Sequence, residues 1–425
     1  MWTSEDDHKR VVIVGGGAGG LELACRLGRR LRRTQQIEIV LIDRNRQHVW
    51  KPLLHEVATG AFNSELGGAD YLNLARINGF SFAQGELQAL DVGARRLTLG
   101  PSRDRRGRPL SQQRQMRYHV LVLAVGSESA DFGIPGVAQH AFFLDGPEDA
   151  EVFHEHLLSA MQGRTLEATS QPLDVAIVGA GATGVELAAE LESAARYFRH
   201  YWATRLRLRI TLVEAGERIL PALNPRIAAK AQRELLHLGV TVRTGATVTC
   251  ARKDGLVLAG DERIPADLMV WAAGIRGPAL LGRLGLATTS RGQLAVDAQL
   301  RTSDPHVFAL GDCCDAAPPR AQAASQQAEY LTKLLTARCT DKPFDATFAY
   351  RDYGSLVSLA EHSAVGGLMS SLSKRTWFIE GHLAHWTYVS LHRRHQMTIY
   401  GARRMFGLYV ADLLNGLVRP RLKLH

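Results

Sequence analysis

The sequence predicts an α/β protein in which one parallel-sheet unit occurs twice and a C-terminal region of a different kind follows. The first observation is a pair of glycine-rich turns, each placed between an apolar strand and a helix. The second is a change of pattern after Phe344, where aromatic residues and arginines become frequent. The chain has 425 residues, 46% of them hydrophobic and 22% charged, a composition that excludes disorder and suits two or three folded domains.

The first unit opens with residues 11–14 (VVIV), which predict a strand buried on both faces. Gly15, Gly17 and Gly20 follow it as G-x-G-x-x-G and lead into a helix. In this pattern one glycine allows a tight turn, the next lets the backbone approach a pyrophosphate, and the third lets helix and strand pack closely. The N-terminal N–H groups of the helix would point at that pyrophosphate. A glycine-rich turn of some other α/β protein is the alternative.

A second predicted strand, QIEIVLID, ends in Asp43. A carboxylate at this place accepts hydrogen bonds from both ribose hydroxyls of a dinucleotide, which strengthens the fingerprint. Residues 44–60 predict a loop that enters a short helix, with Lys51 placed for a phosphate or a ring edge, although most such lysines are simply solvated. Residues 79–125 then alternate as strands around an exposed basic loop, which predicts a β-meander.

The opening pattern returns in residues 173–193, where Gly179, Gly181 and Gly184 form a second G-x-G-x-x-G after a predicted strand. The next strand ends in Glu214, and a carboxylate there suits a ribose and would repel a 2′-phosphate. Two fingerprints make an internal repeat of a whole domain and imply two nucleotides. Bound FAD together with NADH as substrate satisfies that requirement.

Residues 302–315 predict a strand that ends at Gly311 and Asp312, which returns the chain to the first unit and places an aspartate for the ribityl chain or phosphate of a flavin. A helix follows, in which Gln322 and Gln326 stand at positions i and i+4 and therefore share one face. From spacing alone, the favoured interpretation of two glutamines on one face is a solvated polar surface.

The C-terminal region predicts short strands up to about residue 374 and helices from there on. Met405, Leu408, Tyr409 and Leu413 form an apolar helical stripe flanked by arginines, in a part of the chain that carries most of the net charge of +9. Basic residues, aromatic residues and an apolar stripe without a spanning run favour a helix lying in a membrane surface. A helix packed on the protein body or on a dimer partner is the alternative.

The five cysteines show no C-x-x-C spacing, which argues against a disulfide scaffold or a zinc site, and the adjacent Cys313 and Cys314 are expected to be buried thiols without a redox role. The pairs His382/His385 and His392/His395 lack an accompanying carboxylate or cysteine, so no metal site is predicted and surface or interface histidines are favoured. No 18-residue apolar run and no signal-peptide layout occur, so a reducing cytoplasmic compartment is expected.

The motifs taken together resemble those of the bacterial type II NADH:quinone oxidoreductases, the single-chain peripheral respiratory dehydrogenases. The resemblance covers nearly the full chain and rests on VGGGAGGLELA, WKPLLHEVATG, VGAGATGVELAAEL, VFALGDC and AQAASQQAEYL. The end RPRLKLH is similar to the enterobacterial branch. The implied fold has two Rossmann-like domains arranged as in glutathione reductase: FAD-binding residues 1–140 with 292–343, NADH-binding residues 141–291, and membrane-associated residues 344–425.

The resemblance also implies roles for individual residues. The predicted FAD-binding residues are Gly15, Gly16, Gly17, Ala18, Gly20, Asp43, Lys51, Gly311, Asp312, Ala321 and Gln322. The predicted NADH-binding residues are Gly179, Gly181, Gly184, Glu186, Glu214 and Gly274. Glu186 matches the acidic residue of the family that lies close to nicotinamide and flavin, while Gln322 and Gln326 match its two glutamines beside the flavin at the quinone tunnel, so these three are the predicted catalytic residues. This replaces the solvated-surface interpretation of the glutamines.

The implied reaction passes a hydride from NADH to flavin N5 and then two electrons to ubiquinone or menaquinone, without proton pumping. The implied location is the cytoplasmic face of the bacterial inner membrane, with a homodimer left open and no nucleic-acid partner expected. A pyridine nucleotide–disulfide reductase would need a C-x-x-x-x-C pair in the first helix, where Cys25 stands alone. A sulfide:quinone oxidoreductase would have to use Cys250 and Cys313. A flavin-binding membrane scaffold or redox sensor is the alternative outside enzymes.

Overall fold

The computed structural model describes residues 9–34, 36–102, 108–166, 171–201, 207–359, 364–369 and 376–418. The N-terminal residues 1–8, the middle of the basic loop and the terminal RPRLKLH motif lie outside this description. The side chains of Trp377, His382, His385, Trp386 and Leu413 also lie outside it, so the expectations for them stay predictions.

The first part of the chain alternates strands with short helices. Its helices are α1 (Ala18–Leu31), α2 (Leu54–Thr59), α3 (Ser64–Gly67), α4 (Tyr71–Asn78) and α5 (Val137–His140), with a 3-10 turn at Lys51–Leu53. Its strands are β1 (Lys9–Val14), β2 (Ile37–Asp43), β3 (Gln47–His48), β4 (Ala69–Asp70), β5 (Ser81–Gln84), β6 (Leu87–Asp91), β7 (Arg96–Leu99), β8 (Arg114–Arg117), β9 (Val120–Leu123), β10 (Glu128–Ser129) and β11 (Phe142–Phe143).

The middle part repeats this order with longer helices. They are α6 (Pro147–Leu166), α7 (Ala182–Tyr201), α8 (Pro225–His237) and α9 (Ala321–Cys339), with 3-10 turns at Leu281–Arg283 and Gly311–Cys313. Its strands are β12 (Leu173–Val178), β13 (Leu208–Val213), β14 (Thr241–Arg243), β15 (Val248–Arg252), β16 (Gly255–Leu258), β17 (Arg263–Pro265), β18 (Leu268–Trp271), β19 (Ile275–Arg276) and β20 (Val307–Ala309).

Two five-stranded sheets carry the architecture, and both are parallel. The first has the order β20-β9-β1-β2-β5 and the second the order β11-β18-β12-β13-β14. Each sheet has a fingerprint strand, β1 or β12, in its centre with the strand that ends in the acidic residue beside it. Each unit also contains a three-stranded antiparallel sheet, β6-β7-β8 in the first and β15-β16-β17 in the second. The predicted α/β class and the repeat are therefore confirmed.

The chain crosses between the two sheets at one place and later returns. β10 pairs antiparallel with β19, so the outgoing and returning segments run side by side. After β19 the chain reaches β20, which joins β9 at the edge of the first sheet. This return places Gly311, Asp312 and the start of α9 at the carboxyl ends of the first sheet's strands, where parallel sheets bind ligands.

The last part forms an antiparallel sheet followed by two helices. Its elements are β21 (Gly354–Ser358), β22 (Ala364–Met369), β23 (Thr376–Glu380), α10 (Gly381–Tyr400) and α11 (Ala402–Val418). The expectation that helices begin near residue 375 is wrong for Thr376–Glu380, which pairs with β22 as a strand. Its run of threonine, tryptophan, phenylalanine and isoleucine has the β-branched and aromatic character of strands.

Helix α10 is fastened to the first unit. The side-chain amide of Asn78, at the end of α4, donates to the carbonyl of Ile399 at 2.9 Å, and Arg29 of α1 donates to the carbonyl of Thr398. Ile399 is itself buried in the first unit's core. The C-terminal region therefore shares a hydrophobic core with the first sheet rather than hanging from it.

One prediction concerns the contact between the second fingerprint and its helix. A Cβ placed on Gly184 would lie 1.9 Å from the carbonyl oxygen of Gly179, so Gly184→Ala must push α7 off its strand. We expect a loss of about 1–3 kcal/mol in the free energy of unfolding, measured by thermal or urea denaturation. Gly163→Ala in α6, where a Cβ meets open space, is the matched control and should be neutral or stabilising. Equal stability of the two variants would contradict the close contact.

Candidate functional site

The first fingerprint loop leaves its backbone uncovered where a ligand must come close. Gly15 has φ of +105° and lies against the carbonyl of Ala124, and a Cβ on Gly20 would be 1.9 Å from the carbonyl oxygen of Gly15. A Cβ on Gly17, in contrast, meets nothing within 4 Å. The loop is thus tightly packed on its protein side and open on its outer side at Gly17, directly before α1 begins at Ala18.

Asp43 closes this loop. Its Oδ2 accepts the Gly16 N–H at 2.6 Å, and its Oδ1 accepts the Asn45 N–H at 2.8 Å. Burial raises the pKa of Asp43 above its ordinary value, and these two backbone bonds oppose the rise. Each carboxylate oxygen keeps a lone pair, so the group can still accept ribose hydroxyls as predicted.

The second fingerprint loop has the same backbone geometry. Gly179 has φ of +99°, a Cβ on Gly184 would be 1.9 Å from its carbonyl oxygen, and a Cβ on Gly181 meets nothing within 4 Å. Glu214 accepts the Ala180 N–H and the Gly216 N–H, both at 2.8 Å. We call the loop of Gly15, Gly17 and Gly20 with Asp43 the first cradle, and the loop of Gly179, Gly181 and Gly184 with Glu214 the second cradle. Both have the same chemistry, and each has open space beside its middle glycine.

Beside the first cradle, Lys51 and Asp312 are linked through a serine that sequence reasoning missed. Lys51 Nζ donates to the Ser127 carbonyl at 3.1 Å and lies 3.3 Å from its Oγ, while the Ser127 hydroxyl donates to Asp312 Oδ2 at 3.0 Å. Ser127 is buried and follows Gly126, which ends the sequence LVLAVG. A serine at the carboxyl end of a strand next to a glycine was the available signal.

The turn at Gly311 depends on another residue that sequence reasoning missed. Gly311 has φ of +78°, and its N–H donates to the side-chain oxygen of Gln327 at 2.6 Å. Gln327 is almost fully buried and lies one residue after the predicted Gln326. It therefore ties α9, which begins at Ala321, to the Gly311–Asp312 turn.

Gln322 and Gln326 both bind the backbone around the start of β21. Gln326 makes a two-sided contact with Arg351, donating to its carbonyl at 2.8 Å and accepting its N–H at 3.0 Å. Gln322 donates to the carbonyl of Gly354 at 3.0 Å. The solvated-surface interpretation of these amides, drawn from spacing alone, is wrong, because both reach a segment that is distant in sequence.

Glu186 reaches the same segment from the second unit. Its Oε1 accepts the Ser358 N–H at 3.1 Å, and its Oε2 lies 3.7 Å from the Nδ1 of His55. Burial, with a smaller contribution from the nearby Glu56, raises the pKa of Glu186 to about 8. The pKa of His55 falls to about 4 because that ring is also buried. At neutral pH the site therefore holds an uncharged acid beside an uncharged imidazole.

All three predicted catalytic side chains thus converge on residues 351–358. Gln322 and Gln326 come from α9, which follows the first cradle's Gly311 turn, and Glu186 comes from α7, which follows the second cradle. Gly274, the remaining predicted residue, has φ of +70°, and its carbonyl accepts the Ala130 N–H at 3.2 Å where the two units cross.

The cysteines and histidines behave in different ways. Cys313 and Cys314 are buried free thiols, as expected, and burial raises the pKa of Cys314 to about 12. His395 is not a surface histidine, because it is 5% exposed and hydrogen-bonded to other side chains. Within the described part of the chain, no group of three or more histidine, cysteine or acidic residues could hold a metal ion.

Comparison with known proteins agrees with this geometry. The pyridine nucleotide-disulphide oxidoreductase family model matches residues 9–328. A type II NADH:quinone oxidoreductase of Haemophilus influenzae is 38% identical, with 98% of this chain and 100% of that one aligned. The chain belongs to the type II NADH:quinone oxidoreductase family. A Staphylococcus aureus member is 27% identical, with 85% and 90% of the two chains aligned.

Solved structures show the same fold at low identity. The NDH2 protein of Plasmodium falciparum in complex with NADH has a TM-score of 0.82 at 19% identity, covering 98% of this chain and all of that one. The sulfide:quinone oxidoreductase of Aquifex aeolicus has a TM-score of 0.73 at 15% identity, covering 97% and 96%. Over the described residues, no helix has the length and apolar character needed to cross a bilayer.

FAD, the cofactor of this type II family, fits the residues of the first cradle. The open face at Gly17, the free helix N-terminus at Ala18 and the oriented Asp43 carboxylate supply what a pyrophosphate and a ribose need. The hydrogen-bonded chain Lys51–Ser127–Asp312, in which Ser127 is buried, supplies further donors and acceptors next to it.

The raised pKa of Glu186 predicts how stability changes with pH. Between about pH 4.5 and 8 the folded carboxyl keeps its proton while the unfolded one is ionised, so this group makes stability fall as pH rises. Glu186→Gln removes the titration and keeps an oxygen for the Ser358 N–H. The variant should therefore gain stability over the parent as pH rises from 5 to 8, by at most about 1.4 kcal/mol per pH unit. Urea unfolding at several pH values measures this, and a pH-independent difference would contradict it.

Proposed function

We propose that FAD lies along the first cradle, NADH along the second, and that a quinone reaches the flavin between α9 and the segment 351–358. As a member of its family, the protein is an FAD-dependent NADH:quinone oxidoreductase that does not pump protons. The observation that carries the residue assignment is the convergence of Glu186, Gln322 and Gln326 on that one segment.

The contacts support the proposed FAD-binding roles. Gly15 and Gly20 shape the loop, Gly17 admits the pyrophosphate, and Asp43 binds the adenosine ribose. Lys51 and Asp312, joined through Ser127, would hold the isoalloxazine and ribityl side. The remaining members of the proposed set are Gly16, Ala18, Gly311, Ala321 and Gln322. FAD, when bound, supplies the two-electron chemistry that connects NADH to quinone.

The NADH site uses Gly179, Gly181 and Gly184 in the same way, with Gly274 at the crossing between units. Glu214 binds the ribose, and its charge repels the additional phosphate of NADPH. The side chains therefore position and select the nucleotide through hydrogen bonds and charge, and none of them needs to form a covalent bond with it. Good orientation of two reactants can supply roughly 7–11 kcal/mol of a reaction barrier.

Quinone reduction needs two protons, and the buried carboxyl of Glu186 is the proposed source of one. With its pKa raised to about 8, the carboxyl is protonated at neutral pH inside a buried site. His55, 3.7 Å from its Oε2, is the adjacent group through which a proton can be replaced. Gln322 and Gln326 would orient the quinone head by hydrogen bonds that add no charge.

Sheet membership supports the proposed domain bounds. β20 joins the first sheet, which supports grouping 292–343 with 1–140 as the FAD domain. β11 joins the second sheet, which supports 141–291 as the NADH domain. The antiparallel β21-β22-β23 sheet and the last two helices support a third unit at 344–425, which packs on the first unit through α10.

The exposed face of α11 supports attachment to a membrane surface. Phe406 is 68% exposed and Leu414 is 61% exposed, which is unusual for large apolar side chains. Arg403 and Arg404, together with Arg29, line a cavity of about 540 Å³ where α10 meets α11. Apolar side chains beside arginines suit the inner leaflet, whose lipids are anionic. The five free thiols and the NADH site favour the cytoplasmic face of the bacterial inner membrane.

The quinone site predicts a selective kinetic defect. Gln326→Leu removes both contacts to Arg351 and fills the space with an apolar branch, so quinone reduction should fall about tenfold or more. Ferricyanide reduction, which does not need the quinone site, should change little. Glu329→Leu, one turn along α9 at a half-exposed position, is the control. Equal loss with both acceptors would count against the assignment.

The membrane proposal predicts a binding defect. Replacing Phe406 and Leu414 together by serine should weaken sedimentation with anionic phospholipid vesicles by at least about tenfold, because each side chain loses its burial in lipid. Leu236→Ser, at an exposed leucine of α8, is the control and should bind as the parent does.

The same variants distinguish membrane binding from dimer formation as the role of the exposed face of α11. Light scattering without lipid shows whether the parent is a dimer that the double variant dissociates. Unchanged vesicle binding together with a lost dimer would mean that a second copy covers this face.

A further inference from the structure

Three buried polar side chains connect the C-terminal helix α10 to the FAD loop. His395 of α10 lies between Glu22 of α1 and His48 of β3, with His395 Nδ1 2.9 Å from Glu22 Oε1 and His395 Nε2 3.0 Å from His48 Nε2. All three are at most 5% exposed. The ring of Trp50 stacks over His395 at 15° between ring planes, which helps to keep water out.

The near end of this chain holds a single peptide of the FAD loop. His48 Nδ1 lies 2.9 Å from the Gly16 carbonyl oxygen, and the Tyr71 hydroxyl donates to the same oxygen at 2.8 Å. The N–H of Gly16 is held by Asp43. Gly16 is therefore fixed on both sides, next to the open position at Gly17.

The acceptors determine where the protons are. The Gly16 carbonyl can only accept, so Nδ1 of His48 carries its hydrogen. Burial lowers the pKa of His48 well below its ordinary value, so its Nε2 is an unprotonated acceptor. The Nε2 of His395 must then donate to it.

At the far end, Glu22 is stabilised as a carboxylate. Burial alone would raise its pKa, but the bonds from His395 and Ser325 outweigh burial and lower it. The Ser325 hydroxyl donates to Oε2 at 2.8 Å, and Arg26 lies 3.4 Å from the same oxygen. The Glu22 carboxylate faces Nδ1 of His395, so both ring nitrogens of His395 have a buried polar partner.

We propose that His395 is a positioning residue for FAD: hydrogen-bonded to Glu22, it orients His48, which holds the Gly16 peptide. Tight FAD binding then depends on a docked C-terminal helix. This inference rests on the proposed placement of FAD along the first cradle.

Replacement of His395 tests the connection. His395→Phe keeps a ring beside Trp50 and removes both hydrogen-bonding nitrogens, so the dissociation constant for FAD, measured by fluorescence of released flavin, should rise about tenfold or more. His395→Gln, whose amide can still donate to His48, should recover part of this loss. His48→Phe combined with His395→Phe should be no worse than the more affected single variant, because the two residues act in series.

His392→Phe is the matched control. His392 stands one turn earlier on α10 and contacts the same tryptophan, with ring centroids 5.0 Å apart, but its Nδ1 has no hydrogen-bond partner among the described residues. This variant should retain FAD as the parent does. If both phenylalanine variants lower the melting temperature equally and neither changes FAD affinity, the inference is overturned and His395 only packs the helix.

The hydrogen bonds of His395 have their own readout. In protein labelled with ¹⁵N-histidine, the His395 signals, identified by their loss in His395→Phe, should shift in both Glu22→Gln and His48→Phe. Signals that stay in place in both variants would overturn the connection. A parent protein that cannot be loaded with FAD would instead refute the proposed function, so the two failures are distinguishable.

Discussion

The structure depends on two places where a helix meets a strand with no room for a side chain. At Gly20 and at Gly184 a Cβ would lie 1.9 Å from a carbonyl oxygen of the turn, a distance that no other residue can accommodate. This contact brings the first turn of each helix to the end of its strand and leaves N–H groups facing outward. An acidic residue from the next strand, Asp43 or Glu214, then holds the turn from behind. Nucleotide binding follows from backbone geometry rather than from special side chains.

Residues 351–358 are contacted by side chains from both units, by α9 of the first and by α7 of the second. Gln322 and Gln326 hold one end of this segment, and Glu186 holds the other. The contacts are made by amides and by an acid whose pKa burial raises, so the site gains polar groups without gaining net charge at neutral pH. Uncharged polar side chains suit a lipid-soluble acceptor, since unpaired ionised groups would be costly to bury beside it, and Asp352 in this segment is paired with Arg320. The segment belongs to neither parallel sheet, so substrate specificity can change without altering the nucleotide sites.

The last two helices, α10 and α11, differ in how much of their apolar surface is buried. Up to Tyr400, helix α10 packs on α1 and α4, and its Ile399 is buried in the first core. The chain then bends at Gly401, whose φ is +79°, and α11 exposes its apolar residues. Helix α10 therefore contributes to the core of the first unit, whereas α11 exposes apolar side chains to solvent, which is unfavourable in water.

Local pattern determined much of this protein. Glycine spacing, β-branched strands and the acidic residues at strand ends predict both cradles, because each is built from residues adjacent in sequence or one strand away. Similarity to known motifs predicted Glu186, Gln322 and Gln326 as catalytic residues, while spacing alone assigned Gln322 and Gln326 to a solvated face. Tertiary structure decided the partners: Ser127 between Lys51 and Asp312, Gln327 under Gly311, and the buried row from Glu22 through His395 to His48. These contacts join residues far apart in sequence, and a hydrogen bond between distant segments leaves no periodicity in the chain, so only the folded backbone can reveal it.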